Sequence, residues 1–516
     1  MYLYQKAISF LVASRLLATT QATSFNGSYD LGWKPCPTWL PSWHSSLRCG
    51  SLSVPLDWDH LEKGNITIGV AKLPARKQKN RKGNIFYQPG GPGNAGSHSI
   101  AQMATGDLEV GAELLDRFDM IGVDLRGTGL SEPIKCDAQL INARLPWYPS
   151  DPNSFKKRVQ HNLATRKSCL EMSGNNLIDY MDSISIAKDY EAVRIALGGE
   201  KMNWLGVSYG TQLGSQYAEL FPNNIRSMVF DGIVSLSQSQ ISLFLSGAAG
   251  LDATFRRFAQ WCQAQNATVC PAVRDAKKRS ILEMWTDILA QADKKPIPCT
   301  SSLCLYPDMT ADEIRLGASN YFYAQYPNWG YLGQAIYNTT TQNDSSPFAQ
   351  LYPQVTNDTS AASVYSNSAM LAGLAIVCQD WAHHDTAAED IKLKQVLARS
   401  QAPLMNGMST AHRFQLPCIG WSGNVRNPAH RISIPRPSRL PRVLLVDTIY
   451  DSATPLPWGM QLREEIGKDR TVLVLRNAGG HPTYEQRNAS GGDTKSAIET
   501  YIFNLTLPED GVIFST

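Results

Sequence analysis

The spacing of apolar positions changes along the chain, and the changes outline an architecture. Asn84–Gln88 (NIFYQ) is a short apolar run that enters a glycine cluster, and Phe118–Val123 (FDMIGV) is a second run that ends in the turn Asp124–Ser131. Both read as strands. Ser183–Leu197 places Ile184, Ala187, Tyr190, Ala192, Val193 and Leu197 at spacings that can share one helix face. Asn203–Val207 then reads as a strand, Tyr209–Phe221 as a helix and Ser227–Phe230 as a strand. Strands alternating with helices predict a mostly parallel sheet with right-handed crossovers and helices on both faces.

Between about Ser235 and Pro435 the alternation stops. That stretch is helical in tendency, with Ala248–Gln265 and Ala276–Ala292 as the clearest segments. Alternation resumes at Arg442–Val446 (RVLLV), followed by a helix near Pro457–Ile466, the strand Thr471–Leu475 and a last helix around Thr494–Phe503. The pattern divides the chain into a leader (1–22), an N-terminal arm (23–82), a first core part (83–235), an inserted cap (236–435) and a second core part (436–516). The basic stretch Lys72–Lys82 in the arm reads as an exposed loop or hairpin tip.

Composition adds the compartment. The 516 residues carry 48 basic and 45 acidic side chains with no long run of one sign, which argues against a nucleic-acid partner. At the N-terminus Lys6 precedes the mostly apolar Ala7–Leu17, interrupted by Arg15, and small or polar residues follow at Ala18–Ala22. That is the layout of a cleaved signal peptide, with cleavage after Ala18 or Ala22. A membrane anchor needs about 20 apolar residues; this run is shorter, and no later segment is expected to span a bilayer. Ten cysteines fit an oxidising compartment, with Cys36/Cys49, Cys262/Cys270 and Cys299/Cys304 spaced as local pairs and Cys136, Cys169, Cys378 and Cys418 left over. None forms a C-x-x-C zinc pattern. Eight N-x-[S/T] sequons, at Asn26, Asn65, Asn266, Asn338, Asn343, Asn357, Asn488 and Asn504, suggest a glycosylated, secreted surface.

The chemistry is concentrated in a few loops. Gly206-Val207-Ser208-Tyr209-Gly210 fits G-x-S-x-G between a strand and a helix. In that setting the serine sits on a strained turn with its hydroxyl exposed, and the helix N-terminus behind it favours developing negative charge. Gln88-Pro89-Gly90-Gly91-Pro92-Gly93 is a glycine turn after an early strand. It can supply a backbone donor to an oxyanion hole, and Gly91 is chosen here beside the N–H of Tyr209. A base and an acid are expected downstream in the order serine, acid, histidine. His481 follows Ala478-Gly479-Gly480 after a strand and serves as the base. His44, His60, His98 and His161 precede Ser208, and His383, His384, His412 and His430 fall in the cap. For the acid the strand Arg442–Val446 offers Asp447 and Asp451; the loop position of Asp451 favours it for orienting the imidazole. Asp124 and Arg126 are read as supports for the floor of the site.

Together these pieces resemble the α/β-hydrolase peptidase family of prolyl and tripeptidyl aminopeptidases. The likeness runs from about Cys49 to Phe503 through CGSLSVPLDW, QPGGPGNAGS, DLRGTGLSEP, NWLGVSYGTQLGSQYAELFPNNIRSMVFDGI, AIVCQDW, PCIGW, VLLVDTIYDSATP and GGH. The later, cysteine-containing pieces look closest to the tripeptidyl branch. The resemblance implies an α/β-hydrolase fold with a large helical cap. It also implies a triad of Ser208, Asp451 and His481, acyl transfer to serine, and release of short pieces from peptide N-termini. Two departures bear on substrate: Gln88-Pro89 stands where prolyl aminopeptidases carry a histidine, and no acidic residue maps onto their amine-binding position. Esters, amides or thioesters of small natural products form the rival substrate class. A non-catalytic binding protein is the weaker rival, because the triad is complete. The expected partner is a peptide or small acyl substrate, with no stable membrane insertion and no cofactor, since triad chemistry needs none.

Overall fold

The computed structural model describes residues 30–515 except 275–278, 325–326, 350–353, 382, 384, 422, 424 and 487–491. The expected leader, the sequons at Asn26 and Asn488, and His384 lie outside the described residues.

Ten strands form one sheet in the order β1–β2–β3–β5–β4–β6–β7–β10–β11–β12. They are β1 (Lys34–Pro35), β2 (Arg48–Pro55), β3 (Asn65–Leu73), β4 (Gly83–Gln88), β5 (Phe118–Val123), β6 (Met202–Val207), β7 (Ile225–Asp231), β10 (Val443–Tyr450), β11 (Thr471–Gly479) and β12 (Val512–Ser515). A separate two-stranded pair joins β8 (Ile297–Pro298) to β9 (Asp308–Met309). From β5 through to β12 every neighbouring pair is parallel, whereas β1, β2 and β3 run antiparallel to their neighbours. The residues expected as an arm thus include three strands that extend the sheet. Their apolar positions are broken by polar ones, as in Arg48–Pro55 (RCGSLSVP), and that broken pattern hides them in the sequence.

Strands β4, β5 and β6 are buried at every position, because helices cover both faces of the sheet. On one face Phe86, Trp204, Met228 and Leu445 pack with Tyr190 and Leu213. On the other, Ile85, Leu205, Val229, Leu444 and Val446 pack with Ile100 and Ile498. Register aligns the strand ends where chemistry is expected: Gln88 pairs with Gly206, Val207 with Asp231, and Asp231 with Val446.

Strands β7 and β10 are sheet neighbours, yet about two hundred residues separate them in sequence. The intervening helices have a core of their own, built on Phe255, Phe258, Trp285, Phe322 and Trp329. The first of them, Gln240–Gln263, starts earlier than Ala248 because the Ser239 side chain caps it, accepting from the Ser242 N–H at 3.2 Å. Ser280 and Glu283 form a reciprocal cap that starts the next helix at Ile281. The ten cysteines form five disulfides: Cys36–Cys49, Cys136–Cys169, Cys262–Cys270, Cys299–Cys304 and Cys378–Cys418.

One sequence expectation needs correction. The helix Ala361–Asp380 is long and apolar enough to cross a membrane by length and composition, so a later segment does meet that test. Its apolarity has another use here. Leu371, Ala372, Ala375, Ile376 and Val377 are buried in the same cluster as Trp204 and Leu213. An apolar helix with polar side chains bonded into the core is what an internal helix requires.

Candidate active site

Ser208 sits between β6 and the helix Tyr209–Leu220, with φ 56° and ψ −125°. A non-glycine residue at positive φ is strained, and the surroundings hold it there. The Ser208 N–H donates to Asp231 O at 2.9 Å, and Ser208 O accepts from the Thr211 N–H at 2.9 Å and from Thr211 Oγ1 at 2.6 Å. The flanking glycines are required by close approach. A Cβ on Gly206 would lie 2.4 Å from Gly210 O, and one on Gly210 would lie 2.5 Å from Gln88 O.

His481 ends the run after β11 and is buried. Its N–H donates to Tyr323 O at 2.9 Å, and the Tyr323 ring stands edge-on to the imidazole at 5.7 Å. His481 Nδ1 lies 2.6 Å from Asp451 Oδ2. A buried carboxylate beside Nδ1 calls for the proton on that nitrogen, which leaves Nε2 free to accept. Asp451 is itself held by its own loop, since Oδ1 accepts from the Ala453 N–H at 2.7 Å and the Thr454 N–H at 2.8 Å. The ring lies against Gly232, where a Cβ would stand 2.8 Å from Cε1. Gly232 follows Asp231, whose carbonyl anchors Ser208, so the imidazole and the serine flank the same peptide. No hydrogen bond joins Ser208 Oγ to His481 Nε2 among the described residues; in substrate-free sites such bonds are commonly long and tighten on binding.

Asp447, the other acid considered, faces different partners. It is buried and accepts from the Ile233 N–H at 3.1 Å, and burial pushes its carboxyl well above the usual range. Asp231 accepts from the Thr483 and Tyr484 N–H groups at 3.1 and 2.6 Å, which ties the loop after His481 to β7, and burial raises it to about 6. In the glycine turn, Gly90 packs on Ser208: a Cβ there would lie 2.7 Å from Ser208 Cβ and 3.1 Å from Tyr209 N. Gly91 folds within its own turn, against Gly93 N and Asn94 N.

Asp124 and Arg126, expected as supports for the site, are both buried and fully engaged. Asp124 accepts from the Ser97 N–H and Oγ and from the Leu130 N–H. Arg126 pairs bidentately with Asp189 at 2.6 and 2.8 Å and spends its remaining donors on Pro55 O, Leu56 O and Tyr180 O. A further grouping, Cys378, His383 and Cys418, brings three residues of metal-ligating type together, but its two sulfurs are joined in a disulfide and offer no thiolate.

Sequence reasoning missed Thr454. Its Oγ1 donates to Asp451 Oδ2 at 3.1 Å and lies 3.1 Å from His481 Nδ1, so it bridges the two side chains. The i to i+3 spacing from Asp451 was the available signal. Thr454→Val is expected to lower kcat by about 10-fold, with KM and the melting temperature little changed, in steady-state assays of the purified protein.

A family model described as alpha/beta hydrolase fold matches residues 83–274, and one described as TAP-like protein matches residues 400–513. The chain has the α/β-hydrolase fold. It is a serine hydrolase similar to named enzymes. Serine protease Hip1 of Mycobacterium tuberculosis is 29% identical over 492 residues, covering 93% of this chain and 90% of the relative. Tripeptidyl aminopeptidase of Streptomyces lividans is 26% identical, covering 87% of this chain and 81% of the relative. Carboxylesterase B of Mycobacterium tuberculosis is 27% identical, covering 92% of this chain and 88% of the relative.

Proposed function

We propose that this hydrolase is an exported serine exopeptidase that releases short peptides or residues from free N-termini. Ser208 is the nucleophile, His481 the base and Asp451 the residue that orients it. Ser208 Oγ attacks the scissile carbonyl as its proton passes to His481 Nε2, and Asp451 stabilises the imidazolium. The same proton then goes to the leaving amine as the C–N bond breaks. Water repeats the sequence on the acyl-enzyme and frees the acid product. The N–H groups of Tyr209 and of the glycine turn at Gly91 stabilise the tetrahedral oxyanion. The observation that carries the triad is the His481–Asp451 hydrogen bond set over the strand end that anchors Ser208.

The peptidase reading over a general ester hydrolase draws on the names of two relatives. The carboxylesterase relative keeps the ester reading as the second one. Five disulfides and the leader-like N-terminus support export.

Chromogenic tripeptides with free or acetylated N-termini, set beside aryl and alkyl esters, test this reading against a Ser208→Ala blank. Cleavage confined to free-amine peptides is expected. Ester turnover with inert peptides would move the enzyme to the second reading.

The pH profile carries its own prediction. Burial alone would lower the pKa of His481, but the neighbouring Asp451 carboxylate more than offsets this and holds the imidazolium above the usual 6.5. The base must be neutral to act, so activity is lost as pH falls through this raised value. The acid limb of kcat/KM is expected to have its midpoint above 6.5 in stopped assays from pH 5 to 9.

A further inference from the structure

The segment AIVCQDW at Ala375–Trp381 has no part in the triad, yet it ends a helix that reaches both the glycine turn and the helix that follows Ser208. Midway along the helix Ala361–Asp380, backbone meets the glycine turn with no side chain between them. A Cβ on Gly93 would lie 2.1 Å from Ala369 O, and one on Gly373 would lie 2.5 Å from Pro92 O. Toward its start, Ser368 Oγ accepts from the Gly129 N–H at 2.9 Å, and Tyr365 OH lies 2.7 Å from Ser97 Oγ.

At its end the helix reaches the nucleophile elbow. Asp380 is fully buried. Its Oδ1 accepts from the Ser183 N–H at 2.8 Å and from Asn427 Nδ2 at 3.2 Å. Its Oδ2 accepts from Gln212 Nε2 at 2.9 Å and from Ser183 Oγ. Having donated to Asp380, Ser183 Oγ accepts from Tyr209 OH at 2.6 Å. Trp381 Nε1 donates to Gln212 Oε1 at 3.1 Å, and the Cys378–Cys418 disulfide fixes the same end. Tyr209 follows the nucleophile and Gln212 lies one turn further along the same helix. Burying a carboxylate is costly, and these four donors are its compensation, so the network has little freedom to rearrange.

We propose that Asp380 is a positioning residue of the hydrolase: through Ser183 and Gln212 it fixes the Tyr209 side chain and the first turn of the nucleophile helix, and so the direction of the Tyr209 N–H. The rest of the helix holds the glycine turn opposite. Although it lies within the inserted region, Ala361–Asp380 is a strut between the two oxyanion loops. This rests on the reading of Ser208 as the nucleophile.

The test uses the full-length protein and a fluorophosphonate. In that reaction the Ser208 Oγ–P bond forms as the P–F bond breaks, the serine proton passes to His481 and fluoride leaves. Charge builds on the phosphoryl oxygen in the oxyanion hole, so the rate reports the hole without needing a peptide substrate. Asp380→Asn is expected to lower kinact by about 10- to 100-fold with KI within about twofold. Tyr209→Phe, which cuts the far end of the chain, is expected to lower kinact by a smaller factor. The double variant should be about as slow as Asp380→Asn alone, because both changes break one linkage. Wild-type kinact in Asp380→Asn, or a double variant slowed by the product of the two factors, would overturn the proposal. Should Asp380→Asn fail to accumulate, Tyr209→Phe decides, and an unchanged kinact there overturns it. A wild-type protein that is not labelled at Ser208 would instead sink the triad reading, before any variant is compared.

Discussion

Replacing Ser208 with alanine is expected to lower kcat by about 10⁶-fold on every substrate the enzyme accepts, while the melting temperature stays within a few degrees. The size follows from the chemistry, because without Oγ no acyl-enzyme forms and His481 has no proton to take from a nucleophile. The small effect on stability follows from the turn. Positive φ at this position costs alanine about what it costs serine, and the bonds that hold the turn run through the backbone N–H and carbonyl of residue 208, which alanine keeps. Active-site titration and thermal melts on the same preparation check both halves.

The second large effect is expected from Asp451→Asn. The variant amide can keep its oxygen toward the Ala453 and Thr454 N–H groups, so the loop should fold as before. What changes is the atom facing the imidazole at 2.6 Å. An NH₂ in place of Oδ2 donates to Nδ1 and moves the ring proton to Nε2, the nitrogen that must accept from Ser208. A wrong tautomer of this kind costs about 10⁴-fold in kcat. Steady-state kinetics check the value, and a loss of less than tenfold would mean that another group orients His481.

Much of this molecule was legible from its residues. The strand–turn–helix around Ser208 is short-range, and so is the apolar run from Val443 to the loop at Asp451. Each is written in contiguous residues whose spacing fixes both the element and the place of the side chain. The contacts that complete the site are long-range and have no such mark. Asp380 meets Ser183 across nearly two hundred residues, and nothing in the composition of either segment announces the pairing. The strands in residues 34–73 were hidden for a related reason: strands near one end of the sheet, with exposed positions interrupting the buried ones, carry weaker patterns than the fully buried β4–β6. The apolar length of Ala361–Asp380 shows the reverse ambiguity, since burial inside a protein and burial in lipid select similar residues. Packing within the glycine turn has no mark in the sequence either: Gly90 and Gly91 are adjacent and alike, and only three dimensions show Gly90 packed on Ser208 and Gly91 folded against Gly93 and Asn94.

The central claim is that Ser208 is activated by His481, which Asp451 orients. The most direct measurement is peptide mapping of the fluorophosphonate adduct by mass spectrometry, in wild-type protein and in His481→Ala. The account predicts one adduct, on Ser208, in the wild type, and labelling slowed by several orders of magnitude in the variant. An adduct on a different residue, or a Ser208 labelled at the wild-type rate without His481, would contradict it.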